Sequence, residues 1–89
     1  MTSRTTEHFR NAFAELPDHI RRRARTAYRL FRDNPQHPSL RFKQIHAARP
    51  IYSPRVGLGY RALAVLDGDV VVWFRIGTHA DYDRLLRSL

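Results

Sequence analysis

Apolar residues recur at the helical period in the first third of the chain and alternate, as in strands, over most of the remainder. The helical pattern predicts two helices over residues 5–16 and 17–33, and Asn34-Pro35 ends the second of them. The alternating segments predict four strands, over residues 40–45, 51–56, 61–66 and 70–76. A last helix begins after Thr78, a predicted N-cap. Its apolar face comprises Tyr82, Leu85, Leu86 and Leu89.

Glycine-containing turns join the last three predicted strands. Gly57-Leu58-Gly59 connects the second strand to the third, and Asp67-Gly68 connects the third to the fourth. Asp-Gly between two apolar runs is a strong hairpin signal, because both residues tolerate a positive φ. The predicted fold is therefore α+β, with an N-terminal helical hairpin packed on a four-stranded antiparallel sheet (a meander) and a short C-terminal helix. Residues 1–89 are predicted to form a single domain.

A two-residue loop at Asp67-Gly68 fixes which residues share a face of the sheet, because side chains alternate along each strand. The face predicted to pack on the helical hairpin comprises Leu63, Val65, Val70, Val72, Phe74 and Ile76. The face predicted to receive the last helix comprises Tyr60, Ala62, Ala64, Val71, Trp73 and Arg75. This register places Arg61 at the outer end of the helical-hairpin face. The side chain of Arg61 then either lies beyond the rim of the core or is turned in another direction by a bulge near Gly57 and Gly59.

The bulk composition indicates a folded protein that needs no cofactor. A hydrophobic content of 43% excludes a disordered chain, and no apolar run approaches the ~20 residues that span a bilayer. The amino terminus lacks the apolar core of a signal peptide, so we expect a cytoplasmic protein. The chain has no cysteine, and its five histidines show no paired metal-ligand spacing. We expect no metal, no small-molecule cofactor and no membrane association.

The net charge of +8 and the pI of about 11.3 predict attraction to nucleic acid, the ribosome or an acidic protein partner. Most of the cations are arginine, whose guanidinium group binds phosphate through paired hydrogen bonds and stacks on bases. On the second helix a stripe of arginines falls opposite the apolar face: Arg21, Arg22, Arg25, Arg29 and Arg32. The stripe is either a solvated surface or a polyanion-binding one. If it binds, Arg21, Arg25 and Arg29 are the predicted phosphate contacts.

Residues suited to phosphodiester chemistry gather at one end of the predicted sheet. The third strand carries Arg61 near its start, and the fourth delivers Arg75, His79 and Tyr82 to the same end. Fixed cations bind phosphate, and histidine is the side chain most easily tuned for proton transfer near neutral pH. Guanidinium groups, an imidazole and a phenol at one sheet edge therefore suit a phosphodiester substrate.

Several short segments carry a recognisable family pattern. They are Leu40-Arg41-Phe42-Lys43, Gly59-Tyr60-Arg61, the valine-rich fourth strand, and Ile76-Gly77-Thr78-His79 followed by Tyr82. Together with the order of helices and strands, they resemble the RelE/ParE superfamily of bacterial type II toxins, over nearly the whole chain. The likeness is closest to the RelE-like branch. The paired basic residues that follow the glycine in relatives are replaced here by Thr78-His79, and Tyr82 follows at a shorter spacing.

The resemblance implies a toxin that cleaves mRNA on the ribosome, inhibits translation and is held inactive by a cognate antitoxin protein. It matches Arg61 to the family's arginine early in the third strand, and Lys43, with Arg41 beside it, to the basic first strand. His79 takes the place of a basic residue after the glycine, and Tyr82 that of the following tyrosine. Two alternatives stay open: a ParE-like non-enzymatic toxin that inhibits DNA gyrase, and an inactive nucleic-acid-binding protein with the toxin fold.

Metal-independent cleavage of RNA requires a base for the 2′-hydroxyl, charge stabilisation at phosphorus and an acid for the leaving oxygen. We expect His79 to act as general base or acid, and Arg61 and Arg75 to hold the scissile phosphate. Tyr82 is expected to stack on a base or donate a proton. Lys43 is expected to orient the phosphate or protonate the leaving group, and Arg41 is expected to bind the RNA.

Each of these candidates also has a purely structural interpretation. Arg61 could instead be an anchor that pairs with Asp67 or with a backbone carbonyl. Tyr82 could belong to the core, because it lies on the apolar side of the last helix. His79 and Lys43 could be ordinary exposed side chains.

Overall fold

The computed structural model of the protein describes residues 2–88, which form three α-helices and five β-strands. In chain order the elements are β1 (Thr2–Thr5), α1 (Glu7–Ala14), α2 (Asp18–Asp33), β2 (Lys43–Gln44), β3 (Ile51–Ser53), β4 (Tyr60–Asp67), β5 (Val70–Thr78) and α3 (His79–Ser88). The predicted α+β class is confirmed. None of the described helices is long and apolar enough to cross a membrane. Leu89, predicted on the apolar face of the last helix, lies outside the described residues.

The strands form one mixed sheet in the order β1-β5-β4-β3-β2. The predicted antiparallel meander corresponds to β2 through β5. The strand β1 is an addition to the prediction, and it runs parallel to β5 at the edge of the sheet. Because this edge strand is mostly exposed, its sequence lacks the apolar alternation that identifies a half-buried strand.

The two helices of the hairpin differ in how closely they follow the prediction. The first, α1, begins at Glu7 rather than at residue 5, because Thr6 caps it: Thr6 Oγ1 accepts a hydrogen bond from Phe9 N at 3.1 Å. It also ends two residues early, at Ala14. The second, α2, matches the predicted range 17–33 to within one residue.

The predicted first strand of the meander, over residues 40–45, is mostly replaced by a turn. Pro38–Leu40 forms a short 3₁₀ helix that buries the Leu40 side chain. Arg41 follows in the left-handed region, at a φ of 47°. A non-glycine residue at positive φ interrupts an extended chain. The strand is therefore reduced to Lys43–Gln44, which pairs with β3, and Ile45 N donates one further hydrogen bond to Ile51 O.

The ends of the hairpin strands also differ from the sequence-based prediction. The strand β3 stops before Pro54, because proline has no N–H for the ladder. The loop between β4 and β5 consists of Gly68 and Asp69 instead of Asp67 and Gly68, because Asp67 already pairs with Val70. Gly68 has a φ of 58°, which glycine adopts without strain at the first position of such a loop.

The helical hairpin packs on the sheet face that carries the small alanines, so the predicted assignment of the two faces is wrong. The core comprises Ala24, Phe31, Leu40, Val56, Ala62, Ala64, Val71, Trp73 and Ile76. Phe31 of α2 meets Trp73 of β5 edge-on, with ring centroids 5.1 Å apart. Ala62 and Ala64 leave the space that these two rings occupy, which is why the alanine face receives the hairpin.

A β-bulge between β4 and β5 determines the environment of Arg61. The register shifts just after Leu63, which pairs with Arg75, and this shift moves Ile76 to the core face. Paired residues of antiparallel strands share a face, so Arg61, Leu63 and Arg75 lie together on the opposite face. There Arg61 meets Tyr82 of α3. Neither position predicted for Arg61 applies, because it is buried beneath the last helix.

Candidate active site

Arg61 is a buried cation, with only 8% of the residue exposed. Its Nε donates a hydrogen bond to Ser53 Oγ at 2.8 Å, and its Nη2 donates one to Ser53 O at 2.8 Å. A longer contact runs from Nη2 to Arg41 O at 3.5 Å. Two neighbouring donors that meet two oxygens of one residue fix the guanidinium plane. Arg61 therefore pairs with backbone carbonyls, those of Ser53 and Arg41, as one of its two structural interpretations predicted. Asp67, the partner in the other interpretation, is not among its hydrogen-bond partners.

The buried position changes the electrostatics of this guanidinium group. Burial lowers the pKa of Arg61 from its ordinary value, because leaving water disfavours the charged form. The phenol of Tyr82 raises that pKa, whereas the nearby cations of Arg55 and Arg41 lower it further. Arginine nevertheless stays protonated at neutral pH. A fixed charge that is partly shielded from water interacts more strongly with a phosphate than an exposed one does.

The ring of Tyr82 connects Arg61 to His79. Arg61 Cζ lies 5.3 Å from the centroid of the Tyr82 ring, within the range of a cation–π interaction. The His79 ring meets the Tyr82 ring at an angle of 79°, with centroids 6.0 Å apart. Tyr82 is half-buried and His79 is exposed. Guanidinium, phenol and imidazole thus form a row that leads from the interior to the surface.

The first turn of α3 is held to the sheet by main-chain and capping hydrogen bonds. His79 N donates to Gly59 O at 3.0 Å, which extends the β4–β5 pairing into the helix. Thr78 Oγ1 accepts from Asp81 N at 3.2 Å, so the predicted N-cap is confirmed. Asp81 Oδ1 contacts Arg84 Nη2 at 3.3 Å. These bonds place the positive end of the helix dipole, which attracts anions, beside the row.

A groove of about 560 Å³ lies between α3 and the sheet face that carries Arg61; we call it the α3 groove. Arg61, Leu63 and Arg75 line it from the sheet, and Tyr82 lines it from the helix. Arg75 Nη1 donates a hydrogen bond to Phe74 O at 2.9 Å, which restrains the second guanidinium group. The groove therefore gathers two of the predicted cations and the predicted phenol.

Lys43 lies two strands from Arg61 on the same face of the sheet. It pairs with Ser53 across β2 and β3, and Ser53 is the residue that binds Arg61. The Cβ atoms of directly paired residues lie ~4.5–5.5 Å apart, so the exposed Lys43 begins close to the Arg61 anchor. Arg41 contributes its carbonyl to that anchor, but its side chain lines a different groove beside α2.

The three arginines of α2 that were predicted to contact phosphate lie outside the lining of the α3 groove. Arg21 donates hydrogen bonds to the main-chain carbonyls of Ala14, at the end of α1, and Leu16, in the connection to α2, and it pairs with Asp18, so it secures the helical hairpin. Arg25 Cζ lies 5.3 Å from the centroid of the Phe13 ring. Arg25 and Arg29 both line a groove between the helices and the sheet.

The sequence of most of the chain matches a single family model, that of the ParE-like toxin domain, over residues 18–84. The protein belongs to the ParE-like toxin domain family. The predicted membership of the RelE/ParE superfamily is thereby confirmed. The matched segment includes Lys43, Arg61, Arg75, His79 and Tyr82. No curated protein sequence matches the chain.

Solved structures similar to this ParE-like domain include toxins and toxin–antitoxin complexes. The RelB–RelE antitoxin–toxin complex from Methanococcus jannaschii matches at 23% identity and a TM-score of 0.73, over 91% of this chain and 96% of that chain. YafQ from E. coli strain BL21(DE3) matches at 12% identity and a TM-score of 0.73, over 90% of this chain and 94% of that chain. The isolated E. coli RelE toxin matches at 14% identity and a TM-score of 0.69, over 99% of this chain and 98% of that chain. At these identities the likeness establishes a shared fold.

Two further residues of the protein contribute to the site, although no sequence pattern marks either of them. Ser53 anchors Arg61, but their contact depends on the register of β3 and β4, which no local motif encodes. His8 lines the α3 groove from α1, because the parallel strand β1 places the start of α1 beside β5. Within residues 2–88, no group of three or more His, Asp or Glu side chains is placed to hold a metal ion.

Proposed function

We propose that this ParE-like domain is the toxin of a type II toxin–antitoxin pair and that it cleaves mRNA on the ribosome in the α3 groove. The row formed by Arg61, Tyr82 and His79 carries the proposal. It combines a fixed cation, a phenol and an exposed imidazole, with 5.3 Å from the cation to the phenol ring and 6.0 Å from that ring to the imidazole. Cleavage of an RNA phosphodiester by its own 2′-hydroxyl requires charge stabilisation and proton transfer, which these groups supply.

In the proposed reaction, His79 removes the proton of the 2′-hydroxyl. O2′ then forms a bond to phosphorus while the bond from phosphorus to O5′ breaks. The departing O5′ takes a proton from Lys43 or Tyr82, which leaves a 2′,3′-cyclic phosphate on one fragment and a 5′-hydroxyl on the other. Arg61 and Arg75 bind the non-bridging oxygens, where negative charge accumulates.

The hydrogen bonds of Arg61 support its assignment to the phosphate. Its Nε and Nη2 are used by Ser53, whereas its Nη1 has no hydrogen-bond partner within residues 2–88. A guanidinium group that is held on one edge and open on the other can receive an oxyanion without reorganising. The ring of Tyr82 covers the guanidinium group and so limits its access to water.

Purified protein added to ribosomes that carry a defined mRNA tests the reaction. We expect His79→Gln to slow cleavage by about 10²–10⁴-fold, the usual contribution of general acid–base catalysis. Arg87→Gln, which changes another exposed side chain of α3, should cleave at the wild-type rate. Equal rates for His79→Gln and the wild type would remove His79 from the mechanism.

A second candidate function is the one implied by the resemblance to ParE toxins, the inhibition of DNA gyrase without catalysis. In that case the purified protein would block DNA supercoiling by gyrase and leave ribosome-bound mRNA intact. His79→Gln would then be as toxic as the wild type, because no proton transfer would be needed. The same purified proteins therefore separate the two functions.

The proposed toxin requires an antitoxin, and a groove between the helical hairpin and the sheet suits one. This interlayer groove, of about 640 Å³, combines aromatic side chains with a rim of arginines: Phe9, Phe13, Tyr28, Phe31, Trp73, Arg4, Arg10, Arg25, Arg29 and Arg32. Among the described residues, the buried Nε1 of Trp73 has no hydrogen-bond partner. An acidic, amphipathic segment would cover the rings and neutralise the arginines.

Co-purification with the neutralising antitoxin tests this surface. The double variant Arg25→Glu/Arg29→Glu should lose the antitoxin, because it reverses the charge of the rim. Arg87→Glu, on α3, should retain it. Retention by the double variant would place the antitoxin elsewhere.

A further inference from the structure

A second cationic groove lies between α2, the 3₁₀ helix and the loop that joins β3 to β4; we call it the α2 groove. Its volume is about 860 Å³. Arg22 and Arg23 line it from α2, and Arg41 and Arg55 line it from the two connecting segments. None of the residues that line it is acidic. Four guanidinium groups therefore share one open groove with no carboxylate among them.

The charges of the α2 groove are not neutralised inside the domain. Within residues 2–88, no side chain of its four arginines forms an ion pair or a hydrogen bond, whereas the side chains of Arg21, Arg32 and Arg84 each pair with an aspartate. Neighbouring cations without counter-charges repel one another and raise the local positive potential. A bound polyanion would remove that repulsion.

The main chain of the domain fixes where these arginines lie. Arg41 has a φ of 47°, a conformation that non-glycine residues rarely adopt, and Arg55 N is hydrogen-bonded to Leu40 O. Gly57 has a φ of 67°, and a Cβ added to it would lie 2.8 Å from Arg23 Cδ. Glycine thus allows Arg23 to lie against the loop. The backbone conformation of the fold therefore determines where the arginines of the α2 groove lie.

The α2 groove is continuous with the anchor of Arg61. Arg41 O accepts the hydrogen bond from Arg61 Nη2, and Arg55 forms an isolated β-bridge with Arg61. Arg41 and Arg55 therefore line the α2 groove and also contact Arg61 through their main chains, and their cations lie near enough to Arg61 to lower its pKa. Cations follow one another from the α3 groove to the exposed side of α2.

We propose that the α2 groove binds the phosphate backbone of the same RNA strand that is cut in the α3 groove, a few nucleotides away from the scissile phosphate. This inference rests on the proposed function and extends it. A strand that leaves Arg61 past Arg41 and Arg55 would next meet Arg22 and Arg23. Unpaired cations spaced along a groove are what a nucleic-acid backbone requires.

The apolar surface argues for RNA over an acidic protein segment in this groove. Among the described residues, the exposed large hydrophobic side chains are Leu58, at 78%, and Tyr28, at 40%. Only Leu58 lines the α2 groove, whereas Tyr28 lines the interlayer groove. Protein partners depend on clusters of buried apolar anchors, which one side chain does not supply.

Binding of a non-cleavable 2′-O-methyl RNA of about twelve nucleotides tests the inference. Arg22→Gln/Arg23→Gln should weaken binding by about tenfold at 0.15 M salt and lower the slope of log K against log salt by about 1.4, since each lost phosphate contact removes about 0.7. The control Arg49→Gln/Arg87→Gln removes the same charge from two exposed positions that lie outside the linings of the three grooves. We expect its affinity to change by less than about threefold.

Two further measurements make the outcome decisive. With an RNA of about four nucleotides, which fills the α3 groove alone, Arg22→Gln/Arg23→Gln should bind like the wild type. The 2′-O-methyl RNA is not cut in this assay, so a failure of the cleavage proposal leaves the binding test intact. Equal losses in both double variants would overturn the inference. The inference would also be overturned if Arg22→Gln/Arg23→Gln lost affinity for ribosomes or for an acidic protein but kept its affinity for the longer RNA.

Discussion

Arg61 is held by the interior of the protein and also faces the α3 groove. Its Nε and Nη2 bind Ser53, and the Tyr82 ring covers the guanidinium group. Replacing Arg61 by alanine would therefore disturb folding and chemistry together. Substitutions of its neighbours separate the two roles. Ser53 holds the buried edge of the guanidinium group, whereas Tyr82 contacts it from the α3 groove.

The substitution Ser53→Ala removes the acceptor of the Arg61 Nε bond and leaves that donor buried. We predict a loss of about 1.5–3 kcal/mol in the free energy of unfolding, the usual value for a hydrogen bond to a charged group. Urea denaturation measures it. Ser88→Ala, at an exposed hydroxyl on the last turn of α3, should change stability by less than about 0.5 kcal/mol. Similar losses in the two variants would show that the anchor adds nothing to stability.

Substitutions of Tyr82 distinguish the ring from the hydroxyl group. If Tyr82 positions Arg61 through its ring, Tyr82→Phe should retain cleavage within about threefold, because the cation–π contact survives. Tyr82→Leu should lose about tenfold or more, since a desolvated cation–π contact is worth up to ~2 kcal/mol. Cleavage rates on ribosome-bound mRNA provide the comparison. A Phe variant as slow as the Leu variant would instead make the hydroxyl group the proton donor.

The identity of the candidate residues could be predicted from the sequence, but the contacts between them could not. The order of strands is enough to bring Arg61, Arg75 and Tyr82 to one end of the sheet, because a hairpin returns the chain to its starting edge. The partner of Arg61 depends on the pairing of β3 with β4. Ser53 has no distinguishing neighbours in the sequence, so only the structure identifies it.

At the scale of elements, α3 places the imidazole of His79 against Tyr82, which lines the α3 groove, whereas His79 itself is not in the lining. It is tied to the sheet at its first turn, through His79 N and the Thr78 cap. None of its side chains is fully buried among the described residues. The position of His79 and Tyr82 therefore depends strongly on the bonds at that first turn.

Removal of the Thr78 cap should affect cleavage more than removal of an equivalent cap elsewhere. Thr78→Ala and Thr6→Ala each delete one N-cap, at α3 and at α1, and each should cost about 1 kcal/mol of helix stability. We predict slower cleavage for Thr78→Ala alone, with rescue by Thr78→Ser, and faster hydrogen exchange in the first turn of α3. Equal cleavage by the two alanine variants would contradict the assigned role of that turn.

The elements that the sequence predicts well are those with strong periodicity. The boundaries of α2, β4 and β5 lie within about two residues of prediction, because their apolar residues face a core. The edge strands β1 and β2 are exposed and short, so tertiary pairing forms them without an apolar pattern. The bulge after Leu63 moves Arg75 and Ile76 to the sheet faces opposite those predicted. No residue type in β4 predicts such a bulge.

At the scale of the whole molecule, the fold divides the excess positive charge among three grooves. The interlayer groove takes Arg25 and Arg29, the α2 groove takes Arg22 and Arg23, and the α3 groove takes Arg61 and Arg75, each with further cations. The net charge of +8 predicts a polyanionic partner from the sequence alone. The proposed division of this charge into surfaces for an antitoxin and for RNA depends on which groove each arginine of α2 lines.

Mapping the 5′ ends of transcripts shortly after induced expression tests the central claim, that the α3 groove cuts mRNA. We predict new ends within translated regions, each with a 5′-hydroxyl group, in cells that make the wild type. These ends should be absent when His79→Gln is made to the same level. Intact transcripts in growth-arrested cells that make the wild type, together with a DNA-damage response, would contradict the claim and assign the toxin to gyrase.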